Sequence, residues 1–388
     1  MKKSMLIMII AILIPFILII PVDAYDGEGT EINEEQMQNI NGLYDYITSI
    51  QRENEILRNM SPKKFVEDFM KSGDDGFKNN GFVKTAVAYI FKEVVASFKL
   101  IGQLMIIAIV CALLNNLQSA FSSGKLANIA YFACFSVMII LIARGFYIGV
   151  TLTQDVINEI SSFMAALMPV LIMLLASIGN VSQALIMDPI VMGACTIGTR
   201  LYASVIIPVI CMSFVLGFVN NISNEYRIGN LTALLKKSAL WVQGIYLTVF
   251  VGIIVVRGIA SSSFDIVTAK TAKFAMDNFI PVVGKTLADA FATVASYTLL
   301  LKNSISLLGT IVLIGIIVLP IIKVVVLGFM YKLTAALIQP VSDSKVTSII
   351  DSAGGSLLLL GSCILCVSIM FFIMIAIVAG TGKGFVTM

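Results

Sequence analysis

The sequence predicts an all-α polytopic membrane protein with about seven or eight transmembrane helices. Two observations predict it, and a third restricts its chemistry. Of 388 residues, 58% are hydrophobic and only 13% charged, with a mean hydropathy of +0.97; soluble domains carry about 25% charged residues. The apolar residues come in successive runs close to the ~20 residues that a helix needs to cross a bilayer. His is absent, which removes imidazole triads, imidazole metal ligands and imidazole proton shuttles. This composition excludes an ordinary soluble enzyme, a disordered chain and a nucleic-acid binder.

Residues 1–24 read as an export signal. Lys2 and Lys3 form a basic start, Met5 to Ile20 an apolar run, and Val22-Asp23-Ala24 a small-residue cleavage site. The run is long enough for an uncleaved anchor as well, and on either reading the chain that follows faces outward. Residues 25–99 form a polar segment with 13 acids and 9 bases, a balance of −4; residues 100–388 carry 9 acids and 15 bases, a balance of +6. The polar segment has apolar residues at helical spacing, Leu43, Tyr44, Ile47 and Ile50 among them. Ser61-Pro62 before Lys63-Lys64-Phe65 reads as a helix cap with Pro at the first helical position. A small helical extracytoplasmic region follows, too poor in large apolar side chains to stand alone.

The polytopic body, 100–388, offers eight candidate spans: 100–118, 127–149, 161–178, 184–199, 201–220, 239–258, 304–331 and 356–379. The 184–199 segment contains Asp188 and ends at Arg200, so it also reads as a half-membrane or buried helix. Orientation depends on that choice. Counted as a span, it puts Arg227, Lys236 and Lys237 inside; otherwise the loop with Arg257, Lys270, Lys273, Lys285 and Lys302 lies inside, and the positive-inside rule accommodates both.

Two stretches of the body match. Leu167-Met168-Pro169-Val170-Leu171 parallels Phe279-Ile280-Pro281-Val282-Val283, and Ile207-Pro208 parallels Leu319-Pro320. The prolines of each pair are 39 residues apart (169 to 208, 281 to 320). Two copies at roughly 160–260 and 272–380, or chance likeness among apolar segments, both account for this. Paired repeats with interrupted helices are one way transporters build a pathway.

Ser261 to Ser304 is too charged for a simple span. Lys273/Asp277 and Lys285/Asp289 are i,i+4 pairs, each on one helix face. Ile280-Pro281 through Gly284 breaks the helix, because Pro lacks a donor and restricts its predecessor. The pattern reads as helix–break–helix, either a re-entrant element that lines or gates a pore or an interfacial hairpin with snorkelling lysines. Asp188, Arg200 and Lys323 are ionisable residues within apolar runs and are functional candidates on cost alone. Lys323 follows Pro320, whose broken helix would offer carbonyls to its ammonium. The candidate pore or gating residues are therefore Asp188, Arg200, Lys273, Asp277, Pro281, Gly284, Lys285, Asp289 and Lys323.

The six cysteines lie in apolar runs, and Ile364 and Leu365 fill the Cys363/Cys366 pair, so buried core thiols are expected rather than a redox or metal site. No GxxxxGK[ST] occurs, so any ATP use belongs to another protein. No spacing singles out a nucleophile and its base. No enzyme activity and no cofactor are expected.

The body strongly resembles the stage III sporulation protein AE family of endospore-forming bacteria. The residues that carry the resemblance are Thr271-Ala272-Lys273-Phe274, Asn278-Phe279-Ile280-Pro281-Val282-Val283-Gly284 and Leu300-Leu301-Lys302-Asn303. Pro320-Ile321-Ile322-Lys323-Val324, Tyr331-Lys332-Leu333 and Gln339-Pro340 add to them. The likeness runs from about Phe91 to the C-terminus. It implies a multi-pass protein of the mother-cell membrane facing the forespore, needed for spore development. It also implies a homo-oligomeric subunit of a channel-like, secretion-like complex between the two cells. The implied partners are an extracytoplasmic ring protein, a cytoplasmic ATPase, further membrane subunits and, indirectly, the forespore-side stage II sporulation protein Q. Membrane lipid surrounds the body, and the family supplies no catalytic or ligand-binding residues.

Overall fold

The computed structural model describes residues 34–54, 57–58, 60–72, 81–120, 125–178, 188–222, 228–279, 284–342 and 344–381. The signal segment 1–24 and Pro281 lie outside them. The described residues form nine α-helices: α1 Glu34–Glu53, α2 Pro62–Ser72, α3 Gly81–Ala120, α4 Lys125–Ser177, α5 Asp188–Leu201, α6 Ile207–Ile222, α7 Gly229–Phe279, α8 Gly284–Ile338 and α9 Ser344–Gly380.

The first two helices are short and amphipathic. Ile40, Leu43, Ile47 and Ile50 are buried along one face of α1, while Gln38, Asn41, Asp45, Thr48 and Arg52 are exposed on the other. Pro62 opens α2, and the Phe65 amide donates to the Ser61 carbonyl at 2.9 Å. Pro fits there because first-turn amides have no intrahelical acceptor. These helices share one apolar core with the body, Leu43, Ile47 and Leu57 packing in the same cluster as Leu167, Leu308 and Leu360. Burial first, then Glu67 of α2 and Tyr297 of α8, pushes the Tyr44 phenol up to about 12.

Among the described residues, six apolar stretches are long enough to cross a bilayer: Ala88–Leu114, Phe132–Ser177, Pro189–Val219, Gly229–Val256, Ser296–Ile338 and Ser344–Gly380. The eight segments read from the sequence fall on these six. Segments 127–149 and 161–178 share α4, and 184–199 and 201–220 share one continuous run of α5, a π-turn at Tyr202–Ile206, and α6. The π-turn directly precedes Pro208, whose missing N–H disrupts regular α pairing. Pro169 and Pro320 lie inside α4 and α8 without ending them.

α9 runs through the centre, against α8, α4 and α6. It is apolar on several sides, with Leu357, Leu360, Cys363, Ile364 and Val367 all buried. Close approach explains its glycines. A Cβ on Gly354 would lie 2.8 Å from the Gly328 carbonyl and 3.1 Å from the Lys332 amide, so α8 and α9 meet backbone to backbone. α4 and α8 run antiparallel: Gly145 faces Tyr331 and Leu167 faces Gly309, 22 residues apart on both helices.

These helices exceed a bilayer. At 1.5 Å per residue α4 and α8 are each about 80 Å long, against a hydrocarbon core of ~30 Å and a tilt that rarely exceeds ~40°. The surface of α4 changes accordingly. Ile129, Phe132, Val137, Ile140, Tyr147 and Ile148 are its exposed large apolar residues; from Asp155 onward the exposed positions are Asp155, Asn158, Ser162, Ala165, Pro169 and Ser177. The polar helix α1 packs along this second half, with Asn39 donating to the Met173 sulfur at 3.6 Å.

Candidate functional site

The polar side chains that the fold brings together lie along α9. At its C-terminal end, Lys302 of α8 is fully buried. Its ammonium donates to the carbonyls of Val378 at 3.0 Å and Ala379 at 3.1 Å, and also to that of Thr381. Last-turn carbonyls have no intrahelical donor and carry the negative end of the helix dipole. A cation there satisfies both, which is how a buried charge is tolerated.

Near the start of α9 a second cluster forms. Lys236 of α7 donates to the Ser352 carbonyl at 3.1 Å and its hydroxyl at 2.9 Å, and Lys332 of α8 pairs with Asp351 at 2.8 Å. Between the two ends, Gln243 of α7 donates to the Cys363 sulfur at 3.1 Å, and the Ser362 hydroxyl donates to its carbonyl oxygen at 3.0 Å. Tyr246, one turn on, donates to the Ala194 carbonyl of α5. α9 is thus pinned at both ends by lysines and joined to α7 by an amide within the apolar layer. The six cysteines are free, three buried and three half-buried, and no cluster of metal-ligating side chains forms among the described residues.

The residues singled out from the sequence are dispersed. Asp188 opens α5 with Pro189 behind it, at the edge of the apolar stretch rather than within it. Arg200 is exposed twelve residues further along. Lys323 is half-buried, and among the described residues nothing accepts its ammonium. α8 continues as one helix through Pro320, so the chain shows no break ahead of Lys323. Lys273 and Asp277 lie in the last turns of α7, Gly284 begins α8, and Lys285 and Asp289 follow in its first turns. The 261–304 stretch is therefore the adjoining ends of two long helices that are continuous with spans on either side.

Lys302, Lys236 and Gln243 were not singled out, although Lys302 stood in the Leu300–Asn303 motif. Their partners lie 76 or more residues away. The only local signal was a lysine or glutamine inside an apolar run, which costs too much to be left unpaired.

Among the described residues, nine helices with six apolar stretches of spanning length around one continuous core define an all-α polytopic membrane protein. A family model described as stage III sporulation protein AE matches residues 60–382. The chain is 34% identical over 323 residues to stage III sporulation protein AE of Bacillus subtilis (strain 168), covering 83% of this chain and 81% of that protein. The chain belongs to the stage III sporulation protein AE family, and its role is in sporulation. No solved structure matches it.

Proposed function

We propose that this chain is the main membrane-embedded subunit of a channel-like complex joining mother cell and forespore. Family membership over residues 60–382 carries the proposal. Its partners are the ring protein, the ATPase, further membrane subunits and, through the ring, stage II sporulation protein Q. The chain itself catalyses nothing, and the partner ATPase supplies any energy. Several copies surround or flank the path.

Two features support the placement. α1 and α2, downstream of the export signal, pack against the C-terminal half of α4 and against α8, towards one end of the body. The opposite end carries Lys125, Lys236, Lys237, Lys332 and Lys345 in or beside short connections, the pattern the positive-inside rule assigns to the cytoplasm. Asn54 binds α8 at Gly315, and from there to Ile338 is about 35 Å, close to one hydrocarbon thickness. The part of α8 before Gly315, about 47 Å long, then stands in the space between the two membranes. There it reaches toward an extracytoplasmic ring.

Affinity purification of the tagged protein from cross-linked sporulating cells, followed by mass spectrometry, tests this. Co-recovery of the ring protein and the ATPase is expected. A lone, monodisperse protein under the same cross-linking would overturn the assembly reading and leave a self-contained transporter or a passive scaffold.

A further inference from the structure

Pro320 lies 36 residues into α8, a 55-residue helix. It cannot donate to the Ile316 carbonyl, and its ring crowds that carbonyl, so the helix is weakest there. Gly315 sits just before this point and adds the backbone freedom of a residue without Cβ. Both Asn54 and Leu57 of the N-terminal region converge on Gly315. The Asn54 amide donates to the Gly315 carbonyl at 2.8 Å. Leu57 is 1% exposed and fills the notch: a Cβ on Gly315 would lie 2.6 to 2.9 Å from three of its side-chain atoms.

A polar side chain and a large apolar one, more than 250 residues away in sequence, thus grip the one glycine beside the helix's weak point. We propose that Asn54 and Leu57 form a latch that holds α8 in one conformation at Gly315–Pro320, and that releasing it lets α8 bend there. The latch couples the N-terminal region to the core, because α8 packs along α9 and carries the Lys302 clamp on one side of the bend and Lys323 on the other. A pull on the N-terminal region would be felt as a change in α8.

The test uses the full chain in lipid nanodiscs, with the native cysteines replaced and spin labels at Leu307→Cys and Leu337→Cys. These positions flank Pro320 and lie about 45 Å apart on a straight helix. Trypsin cleavage at the exposed Arg52 and Arg58 reports separately whether the latch is closed. The unmodified latch is expected to give one narrow distance. Leu57→Ala is expected to speed cleavage about tenfold and add a shorter distance, with Asn54→Ala a milder version should Leu57→Ala fold poorly. Gly315→Ala should open the latch as well, because its Cβ would take the place of the Leu57 side chain. Faster cleavage with an unchanged distance distribution would overturn the proposal. Unchanged cleavage in both Leu57→Ala and Asn54→Ala would overturn it too, since the contact would then hold nothing.

Discussion

Replacing Lys302 with methionine keeps an unbranched side chain of similar reach and removes the ammonium. Three carbonyls at the end of α9 then lose their donor, which is itself fully buried. Hydrogen bonds to a charged group contribute about 1.5–3 kcal/mol each. The variant is relieved of the cost of burying a charge, several kcal/mol, so the net loss is about 3 kcal/mol. For a chain of this size that lowers Tm by roughly 4 °C. The buried thiols of Cys195 and Cys363 provide the assay: a fluorogenic maleimide reports their exposure as detergent-solubilised protein is heated. Carboxypeptidase digestion reads fraying of α9 independently. Lys302→Arg keeps donors and should recover part of the loss. A methionine variant with unchanged Tm and an equally protected C-terminus would refute the clamp.

Other predictions follow from the same packing. Gly354→Ala should cost about 1–3 kcal/mol, because its Cβ meets backbone atoms of α8 that cannot move aside; Gly361→Ala, with its nearest neighbour at 3.4 Å, should cost little, and thermal unfolding compares the two. Asp351→Asn should change stability by less than about 1 kcal/mol, since that carboxylate is 57% exposed and its pair with Lys332 is screened. Gln243→Leu should destabilise by about 1 kcal/mol, in line with hydrogen bonds between membrane helices, and a cycle with Ser362→Ala should show coupling between the two sites.

Much of the helical content was legible because lipid and protein interiors both demand apolar helices. That same ambiguity hid the architecture. Residues 296–315 are apolar because α4, α9 and the N-terminal helices cover them, and composition does not distinguish this cover from lipid. Prolines misled for a related reason: Pro169 and Pro320 mark breaks in isolated helices, yet here α4 and α8, packed against their neighbours, continue through them. Ser61-Pro62 was read correctly, since an N-cap is a local event decided by adjacent residues. Lys302 and Asn54 were illegible because their partners are set by tertiary packing. The family motif around Asn278–Gly284 identified the chain without revealing what that segment does.

The central proposal is that α8 before Gly315 and the second half of α4 packed on it stand outside the bilayer, on the side of the N-terminal helices. Labelling of intact cells with a membrane-impermeant maleimide, on single cysteines at Ser162 of α4 and Lys237 of α7, tests it most directly. Ser162→Cys is expected to label from outside and Lys237→Cys only after permeabilisation. Protection of Ser162→Cys in intact cells together with labelling of Lys237→Cys would reverse the orientation and contradict the account.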